Sequence, residues 1–257
     1  MLVEQGLAES RTQAQALVLA GRVPGYDKAG QQVDESVGLE VTEPARFVSR
    51  GGEKLAYALE AFGVDPTGRD ALDVGASTGG FTDVLLRRGA AHVVAVDVGH
   101  GQLVPEIRHD SRVAVHEGLN VRYMTPEEIG GPAALTVADL SFISLTLVVA
   151  PLAACTVPGG DLVLMVKPQF EIGKDRLGRT GVVTSERERR LAVGKVAAAA
   201  VDAGLELKGL AQSPLPGQDG NVEFFLWIKR AMSEVPPKIE ERDAAVAALL
   251  GTIWPNH

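Results

Sequence analysis

"LDVGASTGGFTDVLLRRG", the stretch from Leu72 to Gly89, joins a short apolar strand to an amphipathic helix through a glycine-rich turn. The turn has two interpretations. Gly75 to Gly79 fit the pattern G-x-S-x-G, which presents a nucleophilic serine, here Ser77, in many hydrolases. The same glycines suit a loop whose backbone approaches a nucleotide-like cofactor, with Ser77 merely small. Either way, the stretch predicts a functional site at this turn.

The order of residues along the chain favours the cofactor. A hydrolase of this type needs an acid and then a histidine well beyond its serine. The available histidines lie too close behind Ser77 or at the end of the chain: His92, His100, His109, His116 and His257. Asp97, in contrast, ends the next strand about 20 residues beyond the turn, where an acid accepts hydrogen bonds from a cofactor ribose.

The spacing of the turn bears on which cofactor binds. Dinucleotides favour G-x-G-x-x-G, but here Ser77 takes the third position of that pattern and Gly80 the sixth. S-adenosyl-L-methionine carries no phosphate and accepts a looser turn, so we favour it. An oxidoreductase that binds NAD remains an alternative, as does a turn that only joins strand to helix. The predicted cofactor-binding residues are Gly75, Ala76, Ser77, Gly79, Gly80, Phe81, Asp97, Val98, Asn120 and Asp139.

Strand and helix signals alternate from residue 70 onward. Apolar runs occur in "ALDVGA", "HVVAVDVG", "RVAVHEG", "ALTVADLSF" and "DLVLMVKPQF", with helices expected near 126–130, 144–155 and 185–205. "ELKGLAQSPLPG" and "NVEFFLWIKR" predict a closing antiparallel hairpin. The pattern therefore predicts an α/β fold, a mostly parallel Rossmann-like sheet of the class I methyltransferase kind.

Composition limits the class of protein. The 257 residues are 46% hydrophobic, carry a net charge of −8 and include one cysteine, Cys155. We expect a soluble cytoplasmic protein without a disulfide framework, signal peptide or metal-ligand cluster. The uncharged run from Leu140 to Val157 is just long enough to raise a membrane span, but Pro151 and four Ser or Thr residues favour a strand and a buried helix.

Polar residues stand at the ends of several apolar strands. Asp139 ends "LTVAD", Lys167 ends "LVLMVK", Glu223 lies in "NVEFFLWIK", and Lys54 precedes the first strand. Each alone also fits a helix cap, an exposed hairpin acid or a lysine that reaches to solvent. Asp139 and Lys167 follow successive strands, however, and should point into one crevice.

Four long motifs resemble the TlyA family of rRNA 2′-O-methyltransferases. They are "GASTGGF" from Gly75, "ADLSFISL" from Ala138, "VKPQFE" from Val166 and "SPLPGQDGNVEFFLW" from Ser213. The N-terminal run "LVEQGLAESRTQAQALVLAGRV" is similar to the small RNA-binding module of ribosomal protein uS4. Some members of the family are called haemolysins, so a non-catalytic RNA-binding or haemolysin-like protein is the alternative.

The resemblance implies transfer of a methyl group from S-adenosylmethionine to a ribose 2′-hydroxyl, with cytidine expected, in ribosomal RNA or ribosomal subunits. It implies a catalytic set of Lys54, Asp139, Lys167 and Glu223, shared with FtsJ-like ribose methyltransferases. Lys167 would act as the base or would orient the hydroxyl, and the sequence leaves both open. Neither a metal nor a membrane is expected to take part. The nucleotide, the subunit and the oligomeric state stay undetermined.

The resemblance also implies separate RNA-binding and catalytic domains. We expect the RNA-binding domain at 1–46, a linker at 47–53, the methyltransferase at 54–232 and a C-terminal extension at 233–257. Residues 1–45 contain seven acidic and three basic residues, which weakens the positive potential expected of an RNA-binding surface. The segment 167–190 carries a net charge of +3 and a glycine-rich middle, which favours a mobile RNA clamp. The predicted RNA contacts are Arg11, Arg22, Lys28, Arg50, Lys174, Arg176 and Arg179.

Overall fold

The computed structural model describes residues 1–19, 23–26, 30–31, 37–41, 46–173, 176–232 and 238–255. The chain divides into two compact units, Met1–Arg46 and Phe47–His257. The division falls where the resemblance places the end of the RNA-binding domain.

The first unit is organised around a small apolar cluster. Its helix α1 spans Arg11–Leu19, and the buried residues of the cluster are Leu2, Ala8, Leu17 and Val23. The side chain of Gln5 ties two segments together, because its Nε2 donates to the carbonyl of Val37 and its Oε1 accepts from the amide of Leu39. Arg11 is exposed at the start of α1, whereas Arg22 and Lys28 lie outside the described residues.

The second unit is built on a seven-stranded sheet, counted over the described residues, with the order β3-β2-β1-β4-β5-β7-β6. Strands β1 to β5 run parallel, and β7 is antiparallel to both β5 and β6. This arrangement confirms the predicted fold class, including the closing hairpin. The strand bounds are β1 Asp70–Val74, β2 His92–Asp97, β3 Val113–Glu117, β4 Ala133–Ala138, β5 Thr156–Val166, β6 Leu205–Gln212 and β7 Phe224–Arg230.

Helices cover both faces of this sheet. Successive residues of a strand point to opposite faces, so apolar strand residues form a separate cluster with the helices on each face. Ala71 of β1 packs in the cluster that holds Leu55 and Leu85, whereas its neighbour Leu72 packs in the cluster that holds Leu152 and Val196. The helices are α2 Arg50–Phe62, α3 Gly80–Arg87, α4 Pro105–Arg108, α5 Val149–Ala154, α6 Pro168–Glu171, α7 Glu186–Asp202 and α8 Ile239–Gly251. Short 3₁₀ helices occupy Val121–Tyr123, Glu127–Ile129 and Leu145–Leu147.

Several boundaries differ from those expected. Phe47 is buried and Arg50 begins α2, so the segment 47–53 belongs to the second unit and is half helical rather than a free linker. In the segment 233–257, α8 packs on α7 and β6, and the ring of Trp254 lies 5.2 Å from that of Phe224. Trp254 and Phe224 are both buried, so the segment that follows α8 contributes to the core.

The apolar run from Leu140 to Val157 folds as a 3₁₀ helix, α5 and the first residues of β5. Strand β5 begins at Thr156, five residues before the expected run "DLVLMV". Its first residue pairs with Ala133 across an irregularity in the ladder, a long-range contact that local hydrophobicity does not encode. No helix among the described residues is long and apolar enough to span a bilayer.

Asp73 is a fully buried acid in the middle of the sheet. Its Oδ2 accepts a hydrogen bond of 2.6 Å from the hydroxyl of Thr82, which anchors β1 to α3. Within the described part of the chain, its Oδ1 has no hydrogen-bond partner. The pKa of Asp73 is raised to about 7, chiefly by burial and also by the charges of Asp139 and Asp97, against the lowering effect of the hydrogen bonds with Thr82.

Asp73 should make the stability of the protein depend on pH. The native state retains this proton up to a pKa of about 7, whereas the unfolded chain releases it near 3.8, so stability is lost as the pH rises between these values. Asp73→Asn keeps an acceptor for Thr82 and removes the titration. Between pH 5 and 8 we expect wild type to lose about 2 to 3 kcal/mol relative to this variant. Urea unfolding at both pH values measures the difference, and a constant difference would contradict the role given to Asp73.

Candidate active site

The topology brings the predicted catalytic set to one edge of the sheet. Strands β1, β4 and β5 are neighbours and parallel, so the turn after β1, Asp139 after β4 and Lys167 after β5 share the edge at their carboxyl ends. Strand β7 runs the other way and pairs its first residue, Phe224, with Val166 at the end of β5. Glu223 therefore lies beside Lys167, although they are far apart in sequence.

The four side chains form two ion pairs. Lys54 Nζ lies 2.6 Å from Glu223 Oε2, and the side chains of these residues are 10% and 3% exposed. Lys167 Nζ lies 2.5 Å from Asp139 Oδ1 and also donates a hydrogen bond of 3.0 Å to Ser141 Oγ. The first pair is buried and anchors α2 to the start of β7. The second is more accessible and lies at the ends of the two central strands.

A cleft of about 460 Å³ opens beside these pairs. It is lined by Ser49, Arg50, Gly51, Lys54, Gly75, Ala76, Ser77, Thr78, Gly80, Phe81, Asp139 and Gln218. A larger groove of about 840 Å³ is lined by parts of α7, β6 and α8. Leu205 of that groove pairs with Arg230 at the far end of β7, so the groove lies at the opposite edge of the sheet. The smaller cleft is therefore the candidate site.

The glycines of the turn have packing roles as well as conformational ones. A Cβ on Gly75 would overlap the carbonyl of Asp139, and one on Gly80 would overlap the hydroxyl of Ser49. Gly79 has a φ of +100°, in a region that favours glycine. These glycines let β1, β4 and the segment before α2 approach one another. This close approach within the protein was not part of the sequence interpretation, which assigned the glycines to approach of the ligand.

Ser77 and Asp97 are joined across the turn. Ser77 adopts a left-handed conformation with φ of +49°, and its amide donates a hydrogen bond of 2.8 Å to Asp97 Oδ2. Asp97 Oδ1 accepts another of 2.7 Å from the amide of Gly99. The hydroxyl of Ser77 donates a hydrogen bond of 3.3 Å to Gln102 Oε1. Among the described residues, its hydrogen bonds do not include one to a histidine, which a hydrolase of this type would need. The carboxylate of Asp97 is thus fixed at the rim of the turn.

Val98 and Asn120 lie near Asp97. Val98 is 69% exposed, and the backbone amide of Leu119 donates to the carbonyl of Asp97, which brings the segment after β3 alongside. The side chain of Asn120 accepts a hydrogen bond from the amide of Arg122 and caps the short 3₁₀ helix there. An exposed apolar side chain thus follows Asp97 in the chain, and Asn120 follows the residue that bonds its carbonyl.

Three residues near Lys167 carried no recognised signal in the sequence. Ser141 contacts Lys167, as described above. Phe142 is 92% exposed and has a φ of +64°, a left-handed conformation that is costly for an aromatic residue, and its ring lies 5.3 Å from that of Phe170. Glu171 is buried beneath them. The sequence does not give φ, so the strained and exposed conformation of Phe142 is seen only in the structure.

The predicted RNA contacts are distributed unevenly. Arg50 lines the cleft and donates a hydrogen bond of 3.1 Å to the carbonyl of Pro216. Arg176 and Arg179 are exposed, and Lys174 lies outside the described residues. Part of the expected clamp is packed. Val183 is buried, and the side-chain amide of Asn221 bonds both its backbone amide and the carbonyl of Gly181.

Residues 47–230 match the model of the FtsJ-like methyltransferase family. The chain belongs to the FtsJ-like methyltransferases. It is 51% identical over 234 residues to the 16S/23S rRNA (cytidine-2′-O)-methyltransferase TlyA of Mycobacterium tuberculosis, which covers 89% of this chain and 87% of the relative. Hemolysin A of Brachyspira hyodysenteriae is 34% identical over 86% of this chain and 94% of its own.

A solved structure from Streptococcus thermophilus, which also carries the name hemolysin, has a TM-score of 0.73 at 41% identity. The similarity covers 99% of this chain and 95% of that one. The relatives at this level of identity and coverage place the chain in the TlyA group of FtsJ-like methyltransferases, as its motifs predicted. The family assignment makes the chain an enzyme of the methyltransferase class.

In this FtsJ-like enzyme, the contributions of Lys54 and Glu223 to the free energy of unfolding should depend strongly on each other. Removing one member of a buried pair leaves an uncompensated charge, so Lys54→Met and Glu223→Gln should each cost about 3 to 5 kcal/mol of unfolding free energy. The double variant should cost clearly less than the sum of the two. Urea unfolding of the four proteins gives the coupling energy.

The exposed pair Lys208–Glu206 offers a matched control, because its N–O distance is 2.7 Å but its side chains are 35% and 53% exposed. We expect Lys208→Met to change stability by less than about 1 kcal/mol. Additive effects of Lys54→Met and Glu223→Gln would show that their pair is not energetically coupled.

Proposed function

We propose that this methyltransferase transfers a methyl group from S-adenosylmethionine to the 2′-hydroxyl of a cytidine ribose in ribosomal RNA. The observation that carries the proposal is the pair of lysine–carboxylate contacts beside the glycine turn, where two parallel strands end. The relative from M. tuberculosis is named for this reaction on 16S and 23S rRNA. A ribosomal substrate also agrees with the cytoplasmic location expected from the sequence.

The cleft fits S-adenosylmethionine in its chemistry. The carboxylate of Asp97 keeps free lone pairs beyond its two backbone bonds, which suits the two ribose hydroxyls of the cofactor. We assign the contacts along the amino-acid end to Gly75, Ala76, Ser77, Gly79, Gly80, Phe81 and Asp139, and those at the adenine to Val98 and Asn120. The carboxylate of Asp139 lines the cleft and suits the ammonium group at the amino-acid end of this cofactor. When bound, the cofactor supplies an electrophilic methyl group.

Lys167 is the residue we assign to the substrate hydroxyl. A ribose 2′-hydroxyl is a weak acid, so its proton must be drawn off as the oxygen attacks the methyl group. Asp139 and Ser141 hold Nζ of Lys167 from one side, and we infer that its remaining side meets the hydroxyl as base or as orienting donor. Placing hydroxyl and methyl group in line contributes most, on the order of 7 to 11 kcal/mol at best.

Lys54 and Glu223 have a different part in this proposal. Their ion pair is buried and joins α2 to the residue before β7, so we assign it to holding α2 in place at the cleft. Lys54 of this pair also lines the cleft, as Asp139 does.

RNA would reach the cleft over a basic and aromatic rim. Arg50, Arg176 and Arg179 are exposed and suit phosphate contacts, and exposed Phe142 suits stacking on an unpaired base. Arg11, with Arg22 and Lys28 beyond the described residues, is assigned to RNA held by the first unit. This unit is the expected RNA-binding domain, and its acidic balance makes the rim of the cleft the stronger electrostatic contributor.

The central test is methyl transfer to purified ribosomal subunits or their RNA, with ribose methylation mapped by nucleotide. Lys167→Ala should retain binding of S-adenosylmethionine and lose about 10² to 10⁴ in single-turnover rate at saturating RNA and cofactor. If Lys167 only contacted an RNA phosphate, lower salt or more RNA would restore the methyl-transfer rate of Lys167→Ala.

Lys229→Ala is a matched control, since Lys229 lies 3.6 Å from Asp161 toward the other end of the same sheet. It should methylate at the wild-type rate. A Lys167→Ala rate within a few-fold of wild type would remove Lys167 from the chemistry, and wild-type protein that binds NAD but not S-adenosylmethionine would overturn the function itself.

Asp97→Ala should weaken the binding of S-adenosylmethionine by about 1 to 3 kcal/mol, because hydrogen bonds from the ribose hydroxyls to a charged acceptor are lost. Calorimetry with the folded variant measures the change. Asp65→Ala is the control, since Asp65 is another acid that accepts a backbone amide, from Thr67, but it precedes β1 and so lies at the opposite edge of the sheet. Equal affinity for wild type and Asp97→Ala would refute the assignment of Asp97.

A further inference from the structure

Glu171 links the segment that carries Lys167 to the loop that follows Asp139. It ends α6, four residues beyond Lys167, and it is 7% exposed. Its Oε1 accepts a hydrogen bond of 2.8 Å from the backbone amide of Leu145, and its Oε2 accepts one of 2.5 Å from the hydroxyl of Ser144. Both donors stand at the start of the 3₁₀ helix Leu145–Leu147.

The linked loop holds both partners of Lys167. Asp139 and Ser141 lie between the end of β4 and this 3₁₀ helix, outside the ladder of the sheet. The two segments therefore meet at Lys167 Nζ, at the carboxylate of Glu171, and at the rings of Phe142 and Phe170. The second contact does not include Lys167 itself, so it can hold the loop in place while Lys167 engages a substrate.

The loop needs such a restraint because its backbone is strained. Phe142, next to Ser141, has a φ of +64°. A left-handed conformation at a bulky residue costs on the order of 1 to 3 kcal/mol and persists only when the surroundings enforce it. Glu171 bonds the loop two and three residues further on, and the ring of its neighbour Phe170 packs against Phe142.

The carboxyl group of Glu171 is buried, and its burial costs free energy that hydrogen bonds must offset. Burial raises the pKa of Glu171, against the effects of its hydrogen bonds to Ser144 and Leu145 and of the charge of Lys195. Lys195 Nζ is directed at the backbone carbonyl of Glu171. Among the described residues, the Glu171 carboxylate makes its hydrogen bonds to the loop. These bonds offset the free-energy cost of burying the carboxylate.

We propose that Glu171 is a positioning residue for methyl transfer, which fixes the loop Asp139–Leu145 and so places Asp139 and Ser141 around Lys167 Nζ. This inference rests on the proposed function, in which Nζ meets the ribose hydroxyl. Glu171 lies beneath the loop and acts through it, without touching the cofactor or the RNA.

The hydrogen bonds distinguish this role from a need for negative charge. In Glu171→Gln the amide oxygen still accepts from the amide of Leu145, and the NH₂ group donates to the hydroxyl of Ser144, which is able to act as an acceptor. Glu171→Ala loses both bonds. The conservative variant should therefore rescue the function that alanine removes.

The experiment compares wild type, Glu171→Gln, Glu171→Ala and Ser144→Ala in single-turnover methyl transfer at saturating RNA and cofactor. A misplacement near 1 Å costs up to about 100-fold in rate, so we expect Glu171→Ala to lose on the order of 10- to 100-fold and Glu171→Gln less than about 3-fold. Affinities for S-adenosylmethionine and RNA should stay within about 3-fold of wild type. Hydrogen exchange should show loss of protection at the amide of Leu145 in Glu171→Ala alone.

Asp161→Asn is the matched control, because Asp161 is a buried acid on β5 that bonds Arg69 and Trp227 near the other end of that strand. It should lower stability without lowering the saturated rate. A folded Glu171→Ala with the wild-type rate, or Glu171→Gln as slow as alanine, would overturn the proposal. If Glu171→Ala fails to fold, the same comparison uses Ser144→Ala, which should be slowed less.

An inactive wild type would instead contradict the proposed function. The exchange at Leu145 would then still decide whether Glu171 holds the loop, and unchanged protection in Glu171→Ala would overturn that part as well.

Discussion

The pairing of β5 with β7 is the constraint on which the site depends. Because β7 is antiparallel, the register that joins Val166 to Phe224 brings the start of one strand to the end of the other. Glu223 thereby reaches the edge where the parallel strands β1, β4 and β5 deliver the glycine turn, Asp139 and Lys167. A shift of this register by one residue would turn Glu223 to the other face of the sheet, away from Lys54.

Much of this arrangement could be predicted from sequence because it follows local patterns. Apolar runs that end in Asp139 and Lys167 mark strand ends, and parallel neighbours place such ends together. Motif resemblance identified Lys54 and Glu223, which come from a helix and an antiparallel strand and have no spacing of their own to link them. The early start of β5 at Thr156 and the buried position of Trp254 depend on long-range packing, which composition does not reveal.

The residues near Lys167 that the sequence did not reveal have one feature in common: surrounding contacts determine their roles. Glu171 looks like an ordinary helical acid in "VKPQFE", and only its bonds to Ser144 and Leu145 show what it holds. The positive φ of Phe142 is likewise a product of the surrounding contacts, since an aromatic residue does not favour it. The glycine turn was recognised from its pattern, but the reason for Gly75 and Gly80 lies in neighbouring atoms of the protein.

The contact between Trp254 and Phe224 has a practical consequence for engineering. Phe224 follows Glu223 directly, and the ring of Trp254 packs on it from the far end of the chain. The segment after the last helix therefore supports the residue next to Glu223. An affinity tag or reporter that replaces Trp254 would remove this aromatic contact, whereas one attached beyond Trp254 would retain the contact with the first residue of β7.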